Sequence, residues 1–371
     1  MALTLHGTVS DNTVALDRKT ATPLIINGDM AIAQRGTSVT GITGSGYHTI
    51  DRIRTGLSSL GTWTQSQSTD VPSGQGFSNS LKLDCTTADA SPASSDYKLL
   101  QIRHEGQNFQ VLKQGTSSAE SMTVAFWVKS SKTGTYTFEL EKIDSSRSIS
   151  QTYTIDSANT WEKKVLSFAG DTTGTLPNDN TNEFTLGFWL GAGTDWTSGT
   201  LNTSWATKTS ANRVSPSQVN LADSTSNEWY ITGVQLEVGT FDINSIPPFQ
   251  FEDVGTSLAR CQRYYQRHQG DTGDDKAIIT GMARSTTECR AFIPLITTMR
   301  AEPSFAESDM QILHGFSTIT DVSLNTTLDE GVNALGITVA ADSGTPFTPG
   351  HGVLFRLDNV ASAFIEFEAE L

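Results

Sequence analysis

Asn227–His268, NEWYITGVQLEVGTFDINSIPPFQFEDVGTSLARCQRYYQRH, reads as a strand, a proline break and a short helix, and it joins two β-rich regions. The strand is predicted over Glu228–Val238. Tyr230, Val234, Leu236 and Val238 fall on one face and Gln235 and Glu237 on the other, the period of a half-buried strand. Pro247 and Pro248 cannot continue a sheet interior, so the first β region ends there. Asp253 or Thr256 can cap a helix predicted over Gly255–His268, with Leu258, Cys261 and Tyr265 on one stripe. Arg260, Arg263, Arg267 and His268 lie toward its C-terminal end, where positive charge suits the dipole. This helix is expected to seal the junction between two β domains, its arginines meeting carboxylates across it or forming a solvated face.

Working outward, residues 27–245 alternate apolar-patterned runs with Gly/Ser/Thr/Asn turns, as sandwiches and barrels do. The clearest strands are Leu81–Cys85, Met122–Ser130, Thr135–Ile143, Thr152–Ile155, Trp161–Phe168, Phe184–Leu190 and Glu228–Val238. Met122, Val124, Phe126 and Val128 share one face; so do Tyr136, Phe138 and Leu140. Apolar inner faces and polar outer faces are what two packed sheets require. Residues 246–268 read as linker and helix. Residues 269–371 hold further strands, closing with Ile365, Phe367, Ala369 and Leu371 alternating against Glu366, Glu368 and Glu370. The predicted class is all-β: an antiparallel jelly-roll sandwich over 27–245, a connecting helix, and a second, smaller β-sandwich. Residues 1–26 carry few apolar side chains and are expected to order only on a partner.

Composition narrows the function. The net charge is −15, which argues against a nucleic-acid partner. No stretch approaches the 18 or so apolar residues of a membrane span, so membrane insertion is not expected. MALTLHGTVSDNTVALDRK has no basic start followed by an apolar run, so no secretion signal is read there and folding in the cytoplasm is expected. Three scattered cysteines, Cys85, Cys261 and Cys289, form no disulfide framework, and Cys261 on an apolar stripe suits a buried free thiol. The absence of a fixed-period repeat speaks against a parallel β-helix depolymerase.

The search for chemistry finds no G-x-S-x-G, HExxH, CxxC or phosphate-binding glycine loop, and the six histidines are scattered. No catalytic residue is assigned, and no enzyme activity is expected. Two groupings remain. Trp196 and Trp205, in the Gly/Thr/Ser-rich stretch Gly191–Thr209, are candidate glycan platforms, because flat rings stack on sugar C–H faces. Trp127 and Trp189 lie opposite Phe126 and Phe188 and are candidates too, unless loops or another subunit cover them. The oxygen-rich stretch Asp171, Asn178, Asp179, Asn180 and Glu183 could hold a structural Ca²⁺, or simply form turns. No other cofactor is expected.

Together, GVQLEVG, the Pro-Phe step and CQRYYQ resemble a recurring module of bacteriophage tail-fibre and other virion surface proteins. The resemblance extends to NGDMAIAQRGTS (Asn27–Ser38), AFWVKSSKTGTYTF (Ala125–Phe138), WEKKVLSFAGDTTG (Trp161–Gly174) and FTLGFWLGAG (Phe184–Gly193). Downstream it takes in PLITTMRAEPSF (Pro294–Phe305) and EFEAEL (Glu366–Leu371). It implies a jelly roll like those of carbohydrate-binding modules followed by a small β domain, a homotrimer, and attachment to other virion proteins through residues 1–26. It also implies a virion component, a tail fibre or tail-associated piece that meets a host-surface glycan or receptor. A purely structural adaptor, collar or head-decoration piece is the alternative.

Overall fold

The computed structural model describes residues 19–371 except 316 and 329–330. Strands make up 44% of the described residues and helices 7%, so the all-β class stands. The chain divides between Val254 and Gly255 into two compact units.

The first unit contains β1 (Ser38–Ile42), β2 (Gly46–Tyr47), β3 (Ile53–Ser58), β4 (Thr62–Ser68), β5 (Ser80–Thr87), β6 (Tyr97–Glu105) and β7 (Met122–Ser130). It continues with β8 (Gly134–Lys142), β9 (Arg147–Ile155), β10 (Glu162–Phe168), β11 (Asn182–Ala192), β12 (Ala206–Thr207) and β13 (Glu228–Val238). One sheet has six strands in the order β1-β4-β5-β13-β7-β10, and the other has seven, β12-β9-β8-β11-β6-β3-β2. The chain changes sheet at β5–β6, β6–β7 and β7–β8, as a jelly roll does. The inward rows predicted for β7 and β8 meet in the core: Phe126 stands 5.1 Å from Phe188 and Phe138 stands 4.9 Å from it, both edge-on.

The deciding strand has its predicted limits but not its predicted faces. A bulge falls between Thr232 and Gln235, where Gly233 takes φ +63°. The extra residue switches the inward row from Trp229 and Ile231 to Val234, Leu236 and Val238. Tyr230 therefore lies on the outer face, 6.2 Å from Trp161, not with Val234. The bulge carbonyl of Val234 also meets the NGDM turn: Val234 N–H donates to Gly28 O at 2.9 Å, and a Cβ on Gly28 would lie 2.1 Å from Val234 O. Only glycine tolerates that approach.

Ile246 and Pro247 are buried, Gln235 Nε2 donates to Pro247 O at 2.9 Å and the Phe249 ring lies 5.1 Å from that of Phe77, so residues 246–249 of the expected linker pack on the sandwich. Ile25 and Ile26 are likewise buried. The docking segment expected at 1–26 falls mostly on residues 1–18, outside the described residues.

The second unit opens with a helix, Val254–Gln262, shorter than predicted. Cys261 is a buried free thiol, as expected, and so are Cys85 and Cys289. Leu258 is half-buried. Tyr265 is not on the helix: it begins β14 (Tyr265–Gln269), where its ring is buried and its hydroxyl meets Glu366. The β-branching-poor run after Gln262 gives no sign of the change, and pairing with a partner strand overrides the helical pattern. Arg267 pairs with Glu366 at 2.9 Å inside this unit, rather than across a junction.

The remaining strands are β15 (Lys276–Ala283), β16 (Glu288–Pro294), β17 (Ser304–Ser308), β18 (Met310–His314), β19 (Thr318–Leu328), β20 (Ala334–Ala341), β21 (Gly352–Leu357) and β22 (Phe364–Glu368). In place of the smaller sandwich expected here, β15-β16-β20-β19-β18-β21 close into a barrel, and β14-β22-β17 form a three-stranded sheet. Period-two patterning is common to sandwiches and barrels; closure is decided by strand stagger, which the pattern does not carry. Ile365, Phe367 and Ala369 are buried, as their alternation predicted. Among the described residues, no helix is long and apolar enough to cross a membrane.

Candidate functional site

The outer face of the seven-stranded sheet carries a cleft of about 250 Å³. Alternation builds its floor. On β6, Leu100 and Ile102 point inward, which turns Tyr97, Leu99, Gln101 and Arg103 outward; β11 adds Thr185 and Trp189, and β3 adds Arg54. The loop after β11 folds back over this face. Its one-turn helix Thr194–Thr197 brings Trp196, and Val214 N–H fixes the returning arm by donating to Trp196 O at 3.2 Å.

Trp196 and Trp189 thus meet, with ring centres 5.6 Å apart, and Tyr97 stands edge-on to Trp196 at 5.2 Å. Trp189 is only 1% exposed, covered by the loop, and packs with Leu99 and Val214. Tyr97 and Trp196 remain half-buried and form the accessible aromatic wall. Arg213 holds the arrangement. Its guanidinium lies 5.2 Å from the Trp189 ring centre and 5.6 Å from that of Trp196. Its Nε and Nη2 donate to the two Glu139 oxygens at 2.8 and 2.9 Å, and Nη2 also donates to Glu141 at 2.8 Å. Trp189 Nε1 donates to Glu139 at 3.1 Å. Burial would lower the Arg213 pKa, but Glu139 and then Glu141 drive it above its ordinary value, so the clamp stays charged.

The polar rim is built for hydrogen bonding. Arg54 Nη1 donates to Gln101 Oε1 at 2.7 Å, and Thr185 Oγ1 to Asn182 Oδ1 at 3.1 Å. Burial, then the neighbouring Arg103, lowers the Arg54 pKa from its usual value. Pockets with a few polar groups set among aromatic walls are the usual form of a small-ligand site.

Of the tryptophans expected at a site, Trp189 and Trp196 come together here. Trp205 does not: its Nε1 donates to Ala169 O at 2.7 Å, and its ring lies against Lys142, 4.9 Å away. Trp127 lies on the opposite sheet. Sequence reading missed Tyr97, Gln101, Asn182, Thr185, Arg54 and Arg213. The outward alternation on β6 was the available signal, but Lys98 breaks the apolar row that would have revealed that strand.

The oxygen-rich stretch does not gather into one cation site. Asp171 accepts from Arg147 at 2.7 and 3.1 Å and pairs with Lys142 at 2.6 Å. Burial opposes ionisation of Asp171, but the Arg147 and Lys142 hydrogen bonds hold its pKa near 2. Asp179 and Glu183 share the Thr181 hydroxyl instead, each at 2.7 Å, while Asn178 is exposed. The hydrogen bonding of Asp171, Asp179 and Glu183 is that of ion pairs and turns. Among the described residues no three His, Cys, Asp or Glu side chains stand together as a metal ion needs.

No protein-family model matches this chain, and no curated protein is similar to it in sequence. Solved structures do resemble it, at low similarity. The enzymatically active domain of bacteriophage CBA120 tailspike protein 4 is 14% identical with a TM-score of 0.30, over 58% of this chain and 21% of that one. The family 11 carbohydrate-binding module from Clostridium thermocellum, solved with a β-1,3-1,4-mixed-linked tetrasaccharide, is 13% identical with a TM-score of 0.25, over 58% of this chain and 94% of that one. A family 22 carbohydrate-binding module of the same organism is 13% identical with a TM-score of 0.26, over 54% of this chain and 98% of that one.

Proposed function

We propose that this chain is a bacteriophage virion surface protein whose sandwich binds a host-surface glycan in the Tyr97–Trp196 cleft. The observation that carries the reading is the pairing of two half-buried aromatic rings with amide, hydroxyl and guanidinium groups in one cleft. A sugar ring offers an apolar C–H face and a rim of hydroxyls; the rings take the first and Gln101, Asn182 and Arg54 the second. Binding without cleavage is favoured because Glu139 and Glu141 both accept from Arg213, so neither stands free as an acid–base pair. The placement on a virion, made in the host cytoplasm and displayed on the released particle, rests on the resemblance of the segments quoted above.

A glycan array run with the parent and with Trp196→Ala tests the reading. The parent retains a defined subset of glycans, and the variant binds them about 30-fold more weakly, the effect of losing a ~2 kcal/mol anchor. A blank parent array, with tight retention of another virion protein, overturns it in favour of a purely structural adaptor, collar or head-decoration role. Three copies of one shallow site would add avidity. Light scattering accordingly gives three times the 40.0 kDa chain mass; a single-chain mass at micromolar concentration contradicts the homotrimer.

A further inference from the structure

The opposite, six-stranded sheet carries a second cavity, about 330 Å³, that the cleft reading leaves unused. It forms where the β13 bulge meets the Pro-Pro-Phe segment. Gly233 at the bulge lets the end of the Phe77 ring approach the strand, since a Cβ there would stand 2.5 Å from Phe77 Cζ. Phe77, Phe249 and Phe251 then form a three-ring cluster with centres 4.9–5.2 Å apart. Phe251 is 48% exposed, and Trp127 on β7 is half-buried on the facing wall.

Two polar groups in this cavity lack the partners their burial calls for. Gln235 is 7% exposed; its Nε2 donates to Pro247 O, and its Oε1 has no hydrogen-bond partner. A buried acceptor left unmade is costly unless something supplies a donor. Lys163, opposite Trp127 across β7 and β10, lines the same cavity, and no carboxylate of the described residues pairs with it. Its burial, with no acidic neighbour to offset it, lowers its pKa from the ordinary lysine value. The chain carries 40 acidic residues against 25 basic ones, so an ammonium without an acid beside it is out of keeping with the rest of this surface.

We propose that this cavity is a second binding site, for a carboxylate-bearing pyranose such as a uronic acid residue of an acidic polysaccharide. The sugar carboxylate pairs with Lys163, a ring hydroxyl donates to Gln235 Oε1, and the C–H face stacks on Trp127 and Phe251. One sugar ring supplies the anion, the donor and the apolar face together, at a spacing this small cavity can span. An acidic peptide would supply the anion but would need an extended groove with backbone partners. With the Tyr97–Trp196 cleft on the other sheet, the sandwich would then hold glycan on two faces.

The test is titration of the full chain with glucuronate and, separately, with glucose, following the indole N–H signals by ¹H–¹⁵N NMR. Glucuronate shifts the Trp127 signal in a saturable way, and glucose does so about tenfold more weakly, the contribution of one partly desolvated charge pair. Lys163→Gln removes the preference for glucuronate while leaving the Trp189 and Trp196 signals at their parent positions. Trp127→Ala, on the sheet exterior, abolishes glucuronate binding, read by calorimetry because this variant has no Trp127 signal, and leaves the Trp189 and Trp196 signals at their parent positions. A Trp127 signal that glucuronate never moves, or equal affinity for both sugars in parent and Lys163→Gln, overturns the proposal. Loss of array binding in Trp196→Ala leaves this second site intact, so the two sites fail or stand separately.

Discussion

Arg213→Ala is expected to cost the first unit about 3–5 kcal/mol at neutral pH, the usual loss when one partner of a buried ion pair is removed. Glu139 is 1% exposed and is held by two Arg213 nitrogens, so the truncation leaves a buried carboxylate with only the Trp189 indole. Burial already raises the Glu139 pKa, with Arg213 holding it back; removing Arg213 raises it further. The sign follows. A carboxyl whose folded pKa lies above its unfolded value destabilises the fold as pH climbs through the unfolded value of about 4.5. The variant should therefore approach the parent near pH 4 and fall away toward pH 7. Glycan retention is lost with it, because Trp196 has no clamp. Denaturant melts across pH check the first point. The double variant Arg213→Ala/Glu139→Gln should recover most of the stability without recovering binding; a pH-independent loss in the single variant contradicts the ion-pair account.

Lys98→Met is expected to act in the other direction. Lys98 is fully buried in the sandwich core, with its ammonium 5.1 Å from the Trp63 ring centre and 3.4 Å from Thr55 Oγ1. Burial drives its pKa from 10.5 down to about 7. Below pH 7 both folded and unfolded chains carry the proton, and the fold bears the whole cost of a buried charge. Between pH 7 and 10.5 the folded group is neutral while the unfolded one remains charged, so the cost shrinks as pH rises. Methionine keeps the volume and removes the charge. It should stabilise the protein by up to about 4 kcal/mol at pH 7, the value of a shift of that size, and by almost nothing near pH 10.5. Parent and variant melts that differ equally at both pH values would place Lys98 in solvent instead.

The same lysine explains much of what the sequence conceals. Strands β7 and β13 have limits that the alternating pattern gives outright, because their inward positions are all apolar: Met122, Val124, Phe126 and Val128 in one, and Trp229 and Ile231, then Val234, Leu236 and Val238 beyond the bulge, in the other. Strand β6 holds the centre of the cleft, yet Lys98 sits in its inward row and its outward row mixes Tyr97, Leu99, Gln101 and Arg103, so neither face reads cleanly. Trp196 was legible as a candidate because it lies in a loop rich in small polar residues. That Trp189 would be its buried support, and Trp205 a ring seated on Lys142, depends on how residues 194–214 fold back, which no local periodicity encodes. The bulge at Gly233 is equally silent: a single glycine in a strand can mark a bulge or a close approach, and here it marks the bulge that turns Tyr230 outward. Tyr265 failed for a related reason, since an i, i+4 stripe from Cys261 continues on paper past the point where the chain leaves the helix to pair with β22.

The central claim, a glycan site walled by Tyr97 and Trp196, is tested most directly by titrating a glycan that the array identifies into ¹⁵N-labelled protein and following the seven tryptophan indole signals. The account predicts saturable shifts at Trp196 and at Trp189 behind it, with Trp205 unmoved and all shifts abolished at those positions by Arg213→Ala. Shifts centred on Trp205, or binding that leaves Trp196 and Trp189 untouched, would contradict it.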